Sequence, residues 1–172
     1  MQHALAPSAT QAFHAPSTHT PPNSSPRQST PAPDDLLGEL PSSGGFAALL
    51  AAYRATGGTA RGDDVARLLE DHGLGDFIGL ARLIAGGEVF GFEWRNTLWI
   101  PMFQFELRDL SVKPAGEQVL KELGTGFEGW SRAAWFARPN SWLNYRAPVD
   151  LIATHLAEVL EAARTDRFIT AG

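Results

Sequence analysis

The sequence predicts a mainly α-helical protein with one small β-hairpin: a helix-turn-helix or winged-helix-like part, then a second helical part. Three observations carry this. Apolar residues recur at helical spacing in six segments between residues 44 and 164. Between residues 88 and 105 the pattern changes to aromatic and β-branched runs. Glycine and proline punctuate the boundaries between these segments.

The elements follow in order. Residues 1–43 hold eight of the twelve prolines, and Phe13 is their one aromatic. Such a segment buries too little apolar surface to offset its ordering entropy, so a disordered tail is expected, with Leu36 and Leu37 as its one sticky patch. Residues 44–109 form a small helical region plus a hairpin. The first helix spans 44–55, with Phe46, Leu49, Leu50 and Tyr53 on one face. T-G-G-T at 56–59 breaks it. Asp63 caps a second helix, which buries Val65, Leu68 and Leu69. A third runs from 76 to 85 with Phe77, Leu80, Ala81 and Ile84 inward. A hairpin from 88 to 100 turns at Arg95-Asn96-Thr97, and Pro101 ends its second strand.

Residues 110–164 are helical. Pro114 starts one helix, and another covers 130–136. Both its end and the loop after it are set by Pro139. Pro148 launches a long helix to residue 164 whose apolar stripe includes Leu151, His155 and Val159. Residues 165–172 read as a short tail.

Composition narrows the function. The net charge is −5 with no Lys/Arg cluster, which argues against strong autonomous nucleic-acid binding. The absence of cysteine removes disulfide and thiolate chemistry and fits a cytoplasmic location. No apolar run is long enough to span a membrane, and no secretory signal is evident. Three of the five histidines, His3, His14 and His19, lie in the tail; His72 sits near a helix end. No nucleophile–base pair, metal-ligand spacing or phosphate loop appears, so no enzyme, cofactor or metal is expected.

Two features stand out. One is P-M-F-Q-F at 101–105. In an extended chain Phe103 and Phe105 oppose Met102 and Gln104, and the Gln104 amide can clamp a neighbouring loop or helix end. The other is R-P-N-S-W-L-N-Y-R-A-P at 138–148. Asn140 suits an Asx turn or a cap, while Trp142 and Leu143 are expected to plug the core. Trp99, Trp130 and Trp135 complete the aromatic framework.

Together, I-A-G-G-E-V-F-G, W-I-P-M-F-Q-F and W-S-R-A-A-W-F-A-R-P-N-S-W-L-N-Y-R-A-P-V-D-L-I resemble the C-terminal toxin-binding domain of Xre–MbcA–ParS antitoxins. Trp135-Phe136, Pro139-Asn140, Leu143, Pro148 and Leu151 occupy the family's punctuated positions, and the resemblance covers about residues 80–164. It implies an antitoxin, not itself catalytic, that neutralises a RES-type, NAD-consuming toxin by covering its active site. The implied toxin-binding residues are Asn140, Tyr145, Arg146, Asp150, Arg164, Arg167 and Phe168. Two departures are Asn144-Tyr145 in place of the usual glycine, where Asn144 can hold the left-handed turn, and a short C-terminal tail.

Many relatives also bind DNA, which would place Arg61, Arg67 and Arg82 on an operator. A transcriptional or partition-type regulator is therefore the alternative, and a scaffold that reuses the domain is a third reading. The apolar face of the last helix serves a toxin interface, a homodimer or a higher hetero-oligomer.

Overall fold

The structure is a computed structural model that describes residues 41–171; the expected disordered tail, with its three histidines and Leu36-Leu37, lies outside the described residues apart from its last three positions. The fold is mainly helical with a small three-stranded sheet. In chain order it runs α1 (Ser43–Tyr53), β1 (Thr59–Arg61), α2 (Gly62–Asp71), α3 (Phe77–Ala85), β2 (Phe92–Trp94) and β3 (Thr97–Pro101). There follow α4 (Pro114–Leu123), α5 (Gly129–Ala137), α6 (Pro148–Leu151) and α7 (Leu156–Ala171).

Local chemistry explains most boundaries. Ser42 Oγ accepts from Gly45 N and starts α1. Asp76 caps α3 by accepting from Ile78 N and Gly79 N. Pro114 and Pro148 stand at the first turns of α4 and α6. Glu128 and Ser131 form a capping box on α5, which stops before Pro139. Asp63 does not cap α2. That helix begins at Gly62, so Asp63 and Asp64 lie in its first turn, where they complement the helix dipole.

The sheet is antiparallel in the order β1-β3-β2. Its hairpin turns tightly at Arg95 and Asn96, both left-handed, which matches the twist of the flanking strands. The expected hairpin gains a third strand, because Thr59–Arg61 pairs with β3 and places Thr59 opposite Pro101. After Pro101 the chain does not stay extended. Met102–Gln104 form a 3-10 turn, and Met102, Phe103, Gln104 and Phe105 are all buried, so the expected alternation of faces is lost.

Two hydrophobic cores flank the sheet. Trp99 and Phe92 face one that holds Leu49, Tyr53, Phe90, Phe103, Leu123, Phe136, Leu151 and Val159. Leu98 and Ile100 face the other, with Val65, Leu69, Leu80, Phe105 and Leu110. The first core thus draws on residues both before and after 110. Its aromatics stack closely: Phe90 on Phe136 at 5.4 Å and Tyr53 on Phe103 at 5.8 Å. The buried Tyr53 hydroxyl donates to Ala133 O at 2.8 Å, and burial pushes its pKa well up. Trp130 stands half-buried between Phe92 and Trp94.

Gln104 is fully buried and joins the two layers. Its Oε1 accepts from Phe90 N at 2.7 Å, and its Nε2 donates to Phe90 O and Pro101 O, each at 2.9 Å. The expected clamp therefore exists, and its target is the strand-free stretch before β2. Gly91 beside it allows a close approach: a Cβ there would lie 2.7 Å from Ile100 Cδ1 and from Leu98 Cδ1. Gly91→Ala is expected to lower stability by about 1–3 kcal/mol through overpacking, read by urea denaturation; an unchanged midpoint would refute this crowding.

The expected long helix from 148 to 164 is two helices. The break falls at residues 152–155, where Thr154 N and His155 N both donate to Leu151 O, at 3.0 and 2.7 Å, and the exposed Thr154 hydroxyl bonds the His155 ring at 2.7 Å. The break buries Leu151 and Ile152 while α7 restarts on its own axis and buries Val159, Ala162 and Ala163. His155 is exposed at the corner rather than part of an apolar stripe. The expected tail from 165 is helical to Ala171.

Candidate functional site

The loop between α5 and α6 is closed by its own backbone. Asn140 N donates to Arg146 O at 3.0 Å, and Tyr145 N donates to Asn140 O at 2.9 Å. Asn144 and Tyr145 are both left-handed, at φ 53° and 60°. Asn144 is thus the glycine substitute the sequence predicts, and Tyr145 shares the same uncommon conformation. Two such residues in succession project the Tyr145 side chain outward, leaving it 74% exposed.

Asn140 was expected as an exposed partner contact, but it is buried and structural. Its Oδ1 accepts from Trp142 N at 2.8 Å, which makes the Asx turn. Its Nδ2 donates to Asp166 Oδ2 at 2.7 Å. The same carboxylate accepts from Trp135 Nε1 at 2.8 Å, and its other oxygen accepts from Trp142 Nε1 at 3.0 Å. Asp166 therefore ties α5, the loop and α7 together through three side-chain donors, each bond strengthened by the carboxylate charge.

Trp142 departs furthest from expectation. It is 56% exposed rather than part of the core, because its indole N–H reaches back to Asp166 and leaves the ring outside. Leu143 alone takes the core position. Phe168, 82% exposed, and Ile169, also exposed, stand on α7 beyond Asp166. A helix places residues 168 and 169 about 100° apart, so these two side chains diverge.

The cationic candidates are placed unequally. Arg146 is exposed on the loop. Arg164 donates to Glu122 Oε1 at 3.1 Å and to Glu161 Oε2 at 2.6 Å. The Glu122 bond and charge raise its pKa further, so it is a fixed cation. Arg167 lies 3.8 Å from Glu122 Oε2. A partner carboxylate would compete with Glu122 for both arginines, and exposed ion pairs of this kind exchange at little cost. Asp150 is exposed in the first turn of α6, where the helix dipole accounts for it. Nearby, Arg132 donates to Gly124 O at 3.0 Å at the end of α4, and its partial burial lowers its pKa.

The remaining candidates lie elsewhere. Arg61, Arg67 and Arg82 are exposed on β1, α2 and α3, with Arg67 3.1 Å from Asp64. On α3 itself the exposed residues include Phe77 and Ile78 beside Arg82. Among the described residues no group of three or more His, Asp or Glu side chains is set to hold a metal ion, and no helix is long and apolar enough to cross a membrane.

Asp166 and Ile169 are absent from the sequence-derived candidates. Asp166 gave no readable signal, because residues 165–172 read as a tail whereas α7 runs on to Ala171. No family model, curated protein or solved structure matches this chain.

Proposed function

We propose that the chain is a protein-binding module that works as an antitoxin, docking a toxin through the 139–148 loop and α7. The observation that carries this reading is the exposure of Trp142, Tyr145, Phe168 and Ile169 on a loop and helix that Asp166 locks together. Large aromatics on a rigid scaffold are what binding hot spots are made of, because their contact area costs little conformational entropy on association. Arg146 supplies a cation at the same loop, suited to a partner carboxylate.

The resemblance to Xre–MbcA–ParS antitoxins supplies the finer identity of the partner: a RES-type toxin whose NAD-consuming site this surface covers. On this reading the chain performs no catalysis and acts where the toxin acts, in the cytoplasm. Co-expression with the product of an adjacent gene tests it. The expected result is rescue of growth and co-purification, with affinity falling at least about thirtyfold for Tyr145→Ala combined with Phe168→Ala. Failure of the wild-type chain either to rescue or to co-purify would sink the antitoxin reading. Undiminished affinity of the double variant would move the interface off this surface.

A second reading, a DNA-binding regulator, is favoured by the order α1-β1-α2-α3-β2-β3 and by pairing of β1 with β3, an arrangement in keeping with a winged helix. Against it stands α3, F-I-G-L-A-R-L-I-A, which offers one arginine and no amide or hydroxyl side chain to base edges. A gel shift with the chain's own promoter at physiological salt decides it, and no retention is expected.

A further inference from the structure

Helix α7 carries an exposed aromatic and two arginines on adjoining stripes. Arg164 lies one turn before Phe168, and Arg167 lies one turn after Arg164, so a partner that covers Phe168 also reaches both guanidinium groups. In the free chain both cations are already engaged. Glu122 Oε1 accepts from Arg164 Nη2 at 3.1 Å, and Glu122 Oε2 lies 3.8 Å from Arg167 Nη2. Glu161 Oε2 accepts from Arg164 Nη1 at 2.6 Å. Glu122 is the least exposed of these four side chains.

Helix stability does not account for Glu122. It stands in the last turn of α4, where a negative charge opposes the helix dipole. Nor does the α4–α7 packing require it. Val119, Leu123, Val159 and Ala163 share one core, and exposed ion pairs add little to such a contact. The effect of the carboxylate is electrostatic. It neutralises two arginines that would otherwise present their charge beside an apolar anchor.

We infer, on the reading that α7 docks a toxin, that Glu122 is an internal stand-in for a carboxylate of that toxin. On binding, an Asp or Glu side chain bordering the toxin pocket for Phe168 takes over Arg164 and Arg167 from Glu122. The exchange is between like groups, so neither guanidinium is left unpaired in the free or the bound state. Its consequence is selectivity. Glu122 withholds the arginines from acids that lack the adjoining apolar pocket, and it lowers the affinity for the acid that has one.

Calorimetric titration of the full-length chain with the purified product of the adjacent gene tests this. Glu122→Gln should bind about two- to fivefold more tightly than the wild type, the factor expected from freeing exposed ion pairs. The gain should vanish at high salt. It should vanish as well in a chain carrying Arg164→Gln and Arg167→Gln, which itself should bind more weakly than the wild type. Wild-type binding that Glu122→Gln weakens or leaves unchanged would overturn the role of Glu122 alone, as would a gain that persists without the arginines or at high salt. No binding by the wild type would remove the antitoxin reading itself, and the role of Glu122 with it.

Discussion

Asp166→Ala is expected to destabilise the protein by about 3 kcal/mol and to reduce partner affinity more than any exposed substitution on the same surface. The carboxylate accepts from Trp135, Asn140 and Trp142. Trp135 and Asn140 are buried residues whose bonds to the half-buried Asp166 are part-buried, so their donors lose a charged acceptor and recover water only in part. An orphaned buried donor costs on the order of 1–3 kcal/mol, and here there are two. The Trp142 indole can turn to water, so its loss is one of position rather than of energy. Trp142 should then sample several orientations, and the surface must be reordered on binding. Asp166→Asn retains one acceptor oxygen and should fall between the two. Glu161→Ala, a nearby exposed acid paired with Arg164, serves as control and should change stability by less than about 0.5 kcal/mol. Urea denaturation with partner titration reads both effects; an Asp166→Ala variant as stable as the control would show that the three donors do not depend on it.

Gln104→Met is the second large effect, with an expected loss of about 3–5 kcal/mol. Methionine is close to glutamine in length and volume, so no sizeable cavity opens. What disappears is one acceptor and two donor contacts to Phe90 N, Phe90 O and Pro101 O. All three are backbone groups beside a fully buried side chain, and each left unpaired costs roughly 1–3 kcal/mol before relaxation. Set against a typical total of about 5–15 kcal/mol, this leaves a marginal domain. Denaturation midpoints in urea check it. A loss below about 1 kcal/mol would mean that the stretch before β2 finds other partners. Gln104→Glu keeps the acceptor, loses both donors when ionised and buries a charge, so it should be no more stable than Gln104→Met.

These two residues show what was readable and what was not. Gln104 was recognisable because a lone amide inside P-M-F-Q-F has no reason to be buried unless the backbone needs it. The partner itself, Phe90, is fourteen residues upstream and was not readable. Asn144 was recognisable as the left-handed residue because few side chains tolerate that backbone. Trp142 was misplaced. Size and aromaticity favour burial, but its indole N–H has an acceptor in Asp166, twenty-four residues away, that holds the ring outside. The strand Thr59–Arg61 escaped notice because three residues following two glycines carry no period. The helix break at 152–155 escaped because apolar spacing continues across it.

Capping, proline placement, turn conformation and the change from helical to extended period are local. Each is a contest among neighbouring backbone groups, so the linear order of residues was enough to locate most elements of this protein. The convergence of Trp135, Asn140 and Trp142 on Asp166, the sharing of one core by residues before and after 110, and the exposure of Phe168 and Ile169 are of another kind. They depend on how α5, the loop and α7 close on one another, and closure is settled by packing and hydrogen-bond satisfaction between segments that no local period connects.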